Sequence, residues 1–244
     1  MNDSQWKQWK RITKFYKWCR LEGIYLNLPD WFFLVGSSKT CMTYCENNNA
    51  LPRKRQIILN RQNIFDGTCN KTPSMGWVFL PIIFYAGGGE DAVIDPIEEN
   101  LDVYEKQLSQ NFTWGIQACY RGAKLYDTDS SKVVVKKWID FYKKHPEILD
   151  LDIIYVGWPD GWDYDAIMHV NPNGNEKGLL VIHNPLEEAI SRNITVNLYY
   201  TGLSETALIS EQNGKPVRYK LNREYCVKIL VIIRAKSQTY LVIK

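Results

Sequence analysis

The sequence predicts an α/β fold over residues 1–150, the C-terminal half of a TIM-like (β/α)8 barrel, followed by an all-β antiparallel sandwich over residues 151–244. Three observations lead there. Helix and strand patterns alternate as far as Asp150, and alternating βα units build a parallel sheet with crossover helices. After Asp150 no helical period returns, and short β runs follow at intervals near ten residues. The first part is also short: a whole (β/α)8 barrel takes about 250 residues, and this part begins on a helix where such a barrel begins on a strand. The simplest reading is that the first half of the barrel is missing. A small open α/β sheet complete in itself is the other arrangement these elements allow.

The elements follow in order. Trp6, Trp9, Ile12, Phe15, Tyr16 and Cys19 recur at three- and four-residue steps, an amphipathic helix that Gly23 ends. Ile24 to Leu28 is a short apolar run closed by Pro29-Asp30, a buried parallel-type strand. Gly36 to Asn49 is rich in Ser, Thr and Asn and reads as a long loop. Leu51 to about Phe65 is helical, with Pro52 near its first turn. Met75 to Tyr85 is a second buried strand, with Gly76 to Ile83 at its centre, running into the glycines 87–89. Asp95-Pro96-Ile97-Glu98 starts a helix with Asp as N-cap, Pro first and Glu third. Trp114 to Tyr120 is a third strand, and Asp127 or Thr128 opens a helix that ends near Pro146. Eight β runs then follow: Ile153–Val156, Ala166–Val170, Leu179–His183, Ile194–Tyr200, Ala207–Ser210, Val217–Leu221, Val227–Ile233 and Tyr240–Ile243. Turn signals such as Asn184-Pro185 and Asn213-Gly214 separate them.

Composition narrows the function. A hydrophobic fraction of 45% with 23% charged residues is the balance of a globular protein and excludes long disordered regions. The net charge of +3 is spread rather than clustered, so no nucleic-acid groove is expected. No apolar run reaches membrane-spanning length. Met1 to Trp6 is too polar for a signal peptide, so the chain as written is expected in the cytoplasm. The six cysteines form no CxxC pair and lack histidines at zinc spacing, and they read as reduced thiols. Gly87-Gly88-Gly89 matches neither a dinucleotide nor a phosphate loop, and no GxSxG elbow is present. No cofactor or metal is expected. Aromatics stand out, with nine Trp, fifteen Tyr and eight Phe. Aromatic faces stack on sugar rings, although filling cores is the commoner use of any one Trp.

Several segments, taken together and in order, carry a resemblance. They include Tyr25-Leu26-Asn27-Leu28-Pro29-Asp30-Trp31, Arg61-Gln62-Asn63-Ile64-Phe65-Asp66-Gly67-Thr68, Lys71-Thr72-Pro73-Ser74-Met75-Gly76-Trp77 and Gln117-Ala118-Cys119-Tyr120-Arg121-Gly122. Trp158-Pro159-Asp160-Gly161, Met168-His169-Val170-Asn171-Pro172 and Leu198-Tyr199-Tyr200-Thr201-Gly202-Leu203 extend it towards the C-terminus. The set resembles the C-terminal half of α-galactosidase-like (melibiase-type) glycoside hydrolases of gut Bacteroidetes. The resemblance implies a catalytic barrel with an antiparallel β-domain packed on it, and full-length relatives exported to the periplasm or cell surface. It places Met1 just after the fourth barrel strand, whose end carries the nucleophile in that clan. The nucleophile is therefore expected to be absent from these residues.

Glycoside hydrolysis needs two carboxyl groups across one bond, and in a barrel they come from the C-terminal ends of strands. Asp30 follows the first strand and Glu46 lies in the next polar loop; either is a candidate acid/base, and capping a turn or lying solvated in a loop are the competing roles. Glu90, after the glycine triplet, and Arg121, closing the third strand, are candidates to hold sugar hydroxyls. Trp31 and Trp77 are the stacking candidates near the same face, and Trp158 and Trp162 are expected to pack at the junction of the two parts. Three functions stay open. The chain is a glycoside hydrolase fragment, inactive alone; or a vestigial, non-catalytic carbohydrate-binding module; or one half of a split barrel whose partner supplies the N-terminal half. A cut barrel exposes two strand edges, so residues 1–150 are expected to fold marginally and the β-domain to be the more robust.

Overall fold

Strand neighbours in the first part are also chain neighbours, and all run parallel. The structure, a computed structural model, describes residues 7–8, 10–11, 14–15, 18–19, 21–24, 26–27, 41–42, 44–45, 51–68, 77–83, 89–115 and 117–244. Within them β1 (Leu26–Asn27) pairs with β2 (Cys41–Met42). Next along the chain, β3 (Tyr44–Cys45) pairs with β4 (Trp77–Pro81), and β4 with β5 (Gln117–Arg121). The segment 41–45 thus passes the ladder from β1 on to β4. It lies inside the stretch expected to be a loop. Cys41-Met42-Thr43-Tyr44-Cys45 is too short to show a period, and its Ser- and Asn-rich flanks mask it.

Four helices of this part are described in full. They are α1 (Arg53–Thr68), α2 (Leu101–Thr113), α3 (Asp129–Lys144) and the single turn α4 (Pro146–Leu149). The opening helix is seen at intervals over 7–21 and ends at Gly23, whose φ of +67° suits a residue without a β-carbon. α3 has the expected start: Thr128 Oγ1 accepts from the Ser131 N–H (3.2 Å), and Ser131 Oγ accepts from the Thr128 N–H (3.0 Å). Asp95 does not cap a helix. Asp127, just before α3, accepts from the N–H groups of Ile97 (2.9 Å) and Glu98 (3.2 Å). A tertiary acceptor takes the donors a local cap would have taken. The chain makes a 3-10 turn at Glu98–Asn100, and α2 starts only at Leu101.

All eight expected β runs of the second part are strands: β6 (Ile153–Gly157), β7 (Asp165–Val170), β8 (Gly178–Asn184), β9 (Ile190–Asn197), β10 (Thr206–Glu211), β11 (Val217–Lys220), β12 (Cys226–Ile233) and β13 (Ser237–Ile243). Some boundaries move: β9 runs from Ile190 to Asn197, with Tyr199–Thr201 a 3-10 turn, and β13 starts at Ser237. Six strands form an antiparallel sheet in the order β11-β10-β13-β8-β7-β6, and β9 pairs with β12 in a second layer.

In the middle of the six-stranded sheet β7 and β8 are buried on both faces, which explains the unbroken apolar run of β8. Alternate residues serve different cores. Leu179, Val181 and Val242 pack with Tyr104, Leu108, Trp138 and Phe141 of the helices. Leu180, Ile182 and Leu241 pack with Ile194, Val196, Ile229 and Val231 of the β9–β12 layer. β9 and β12 alternate buried and exposed residues, as a layer with one wet face must. The helical core therefore crosses residue 150. Among the described residues no helix is long and apolar enough to cross a membrane. Cys19 and Cys226 are free thiols.

Candidate functional site

Strand direction defines the first candidate site. β4 and β5 end together: Pro81 pairs with Arg121, whose carbonyl accepts from the N–H groups of both Ile82 and Ile83 (3.1 Å each). Gly122 follows because a β-carbon there would lie 2.8 Å from Cβ of Ile82. After β4 the chain turns back, and the Ile94 N–H donates to Pro81 O (3.1 Å). Glu90 opens the 3-10 turn Glu90–Ala92 before this return, and its side chain is exposed.

The first turn of α1 fastens that segment to the rim. Arg53 Nε donates to Val93 O (2.5 Å), Nη2 to Glu90 O (2.5 Å) and Nη1 to Asn100 Oδ1 (2.9 Å). Gln56 Nε2 donates to Ala92 O (2.9 Å). Sequence reasoning passed over Arg53. The only hint was its place just after Pro52 at a helix start, since helices of such a sheet begin at the strands' C-terminal ends.

Glu90 and Arg121 therefore lie on segments at the same end of the parallel sheet. Trp77 does not join them. It is the first residue of β4, four residues before Pro81, so the strand separates it from the rim by roughly 13 Å. A strand's two ends lie at opposite ends of the sheet, and Trp77 starts β4 at the end away from the rim. Asp30, Trp31 and Glu46 lie outside the described residues. Trp162 is not packed at a junction: it is 84% exposed. Trp158 does reach α1, edge-on to Phe65 at 4.5 Å between ring centroids.

A second concentration of polar groups is buried where α1 and α2 meet β7 and β8. α1 turns polar residues inward: Gln56, Asn60 and Arg61 are buried, while Ile57, Ile58 and Leu59 are only half-buried. Arg61 grips Asp165 with two bonds, Nε to Oδ1 (2.9 Å) and Nη2 to Oδ2 (2.8 Å). Burial pushes the Asp165 carboxyl up, against the downward pull of that guanidinium. Asn60 Nδ2 donates to Gln107 (3.1 Å) and Asn111 (3.2 Å) on α2. The Trp114 indole N–H donates to His183 Nε2 (3.0 Å), so that nitrogen carries no proton. Burial, and then the charge of Arg61, holds the His183 pKa well below the usual imidazole range. This network is a joint rather than a reaction centre: its charged groups are spent on each other.

A cleft of about 1120 Å³ lies beside the joint, between α1–α3 and the ends of β8 and β13. Trp138, Phe141, His183 and Tyr240 line it, and neither Glu90 nor Arg121 does. Among the described residues no group of three His, Cys, Asp or Glu is placed to hold a metal ion.

The structural neighbours of this chain are glycoside hydrolases. The structure of AmyP in complex with maltose aligns over 90% of this chain at a TM-score of 0.51 and 9% identity. A variant of the GH36 alpha-galactosidase AgaA from Geobacillus stearothermophilus, in complex with stachyose, aligns over 77% at a TM-score of 0.50 and 13% identity. At such identities the likeness is one of fold. The chain spans 54% of AmyP and 24% of the galactosidase. No protein-family model and no curated protein sequence matches it.

Proposed function

We propose that residues 1–150 are the C-terminal half of a (β/α)8 barrel of the α-galactosidase type, that residues 151–244 are its β-domain, and that the rim holds half of a sugar site. One observation carries this reading. Arg121 closes β5 beside the end of β4, at the C-terminal ends of two parallel strands, and Asp30 and Glu46 join it as candidates from the sequence alone. Barrel chemistry is drawn from those ends. The strands' consecutive parallel order supports the barrel, and the sugars held by the neighbouring structures support the ligand class.

In this reading Asp30 or Glu46, kept protonated, gives its proton to the leaving oxygen of the glycosidic bond. Arg121 and Glu90 hold sugar hydroxyls, and Trp31 stacks on a ring. The opposing carboxylate comes from a strand beyond these residues, because four parallel strand positions supply half of an eight-strand barrel. The expected result is that the chain binds stachyose or maltotriose without hydrolysing either. Asp30→Asn, Glu46→Gln and Arg121→Ala are each expected to weaken that binding by about tenfold, or about 1.4 kcal/mol, in calorimetric titration. Hydrolysis by the 244 residues alone would show a complete catalytic pair within them and overturn the half-site.

A further inference from the structure

The turn between β11 and β12 breaks a local rule. Tyr225 sits at φ +59°, the left-handed region, where a bulky side chain is an outlier. The Tyr225 N–H closes the turn on Asn222 O (3.1 Å), and a left-handed place in a turn ordinarily takes Gly or Asn. The turn is fastened to hold Tyr225 there. Asn222 Oδ1 accepts from the N–H groups of Glu224 (2.9 Å) and Cys226 (2.8 Å), and the Leu198 N–H donates to Tyr225 O (2.8 Å). Across the gap, the Tyr199 N–H donates to Asn197 Oδ1 (2.9 Å) at the end of β9.

The result is a corner of three rings. Tyr199 lies 5.2 Å from both Tyr200 and Tyr225 between centroids, with interplanar angles of 86° and 74°. The rings stay wet: Tyr199 is 58% exposed, Tyr200 63% and Tyr225 37%. Core packing therefore does not account for them. Among the described residues, none of the three phenol hydroxyls is hydrogen-bonded to another protein group. Rules of local conformation are broken mainly where a site needs it.

We propose that Tyr199, Tyr200 and Tyr225 form a carbohydrate-binding site, taking a pyranose ring of an oligo- or polysaccharide, on the outer layer of the β-domain. Near-perpendicular rings offer one face to the C–H side of the sugar and others to its edge, and the phenol hydroxyls meet its hydroxyls. Size favours a sugar over a protein partner. A stable protein interface takes about 800 Å² from each side, roughly two to three times what three half-exposed tyrosines offer. The site shares no residue with the rim, and the six-stranded sheet lies between its layer and the helices.

The test is a chemical-shift titration of the full chain with maltotriose and, separately, stachyose, alongside melting temperatures. Tyr199→Ala and Tyr200→Ala are expected to weaken binding at this corner at least tenfold. Tyr225→Asn, which suits the left-handed turn, is expected to weaken it as much while the melting temperature holds or rises. Arg121→Ala is expected to leave it unchanged, which separates this site from the rim. The proposal is overturned if neither sugar shifts the amides of residues 197–202 and 222–226. It is equally overturned if Tyr225→Asn lowers the melting temperature and leaves binding intact, for then the ring is only a structural staple.

Discussion

His183 shows how a single residue's chemistry is decided by its surroundings. Its Nε2 accepts the Trp114 indole N–H, and burial near Arg61 keeps it neutral. A histidine whose folded pKa is depressed binds fewer protons folded than unfolded. Its stabilising contribution is complete above the unfolded pKa, near 6.5, and is lost as pH falls below it. Urea titrations at pH 7.5, 6 and 5 are therefore expected to show stability falling by up to about 1.4 kcal/mol per pH unit from this group. His183→Gln is expected to flatten that slope. Arg61 is the other residue of consequence. Arg61→Ala leaves the Asp165 carboxylate buried without its partner, an expected loss of about 3–5 kcal/mol in urea unfolding. Replacing both by apolar residues of similar size should recover most of it. The sequence showed Arg61 only as part of a resemblance; its partner lies 104 residues away, a separation no local pattern reports.

At the scale of elements, caps and anchors decide which local preferences survive. The start of α3 was legible as Asp127 or Thr128, and the structure settles the cap on Thr128 through its reciprocal bonds with Ser131. Thr128→Ala is expected to cost about 1 kcal/mol in thermal or urea unfolding. The false start at Asp95 was as clear in the sequence, and it lost because Asp127, thirty residues on, reaches Ile97 first. The strand at 41–45 escaped because its pairing comes from two distant strands, not from its own period. Arg53 is the anchor of the rim. Arg53→Ala removes three bonds to the segment 90–100, and hydrogen exchange at Ala92 and Ile94 is expected to speed up by on the order of tenfold.

For the whole molecule the governing fact is that one sheet serves two cores. Leu179 and Val181 face the helices, and Leu180 and Ile182 face the β9–β12 layer. The topology changes at about residue 150, but the apolar contacts run across it. Amides of α2, α3, β7, β8 and β13 are expected to share one level of protection in native-state hydrogen exchange, and not to split into a weak α/β part and a robust β part. Separate protection levels would mean that the shared core contributes little. What the sequence by itself determined is the order and type of most elements and the change from alternating to all-β at Asp150. Those follow from periods of two and near four residues, and from turn residues whose preferences are local. Only the tertiary structure decided that the segments at 41–45 pair with β1 and β4, which helix face turns polar groups inward, and that three tyrosines meet in one corner. Direction, layer and contact between distant residues depend on how elements pack, and each local pattern is compatible with more than one packing.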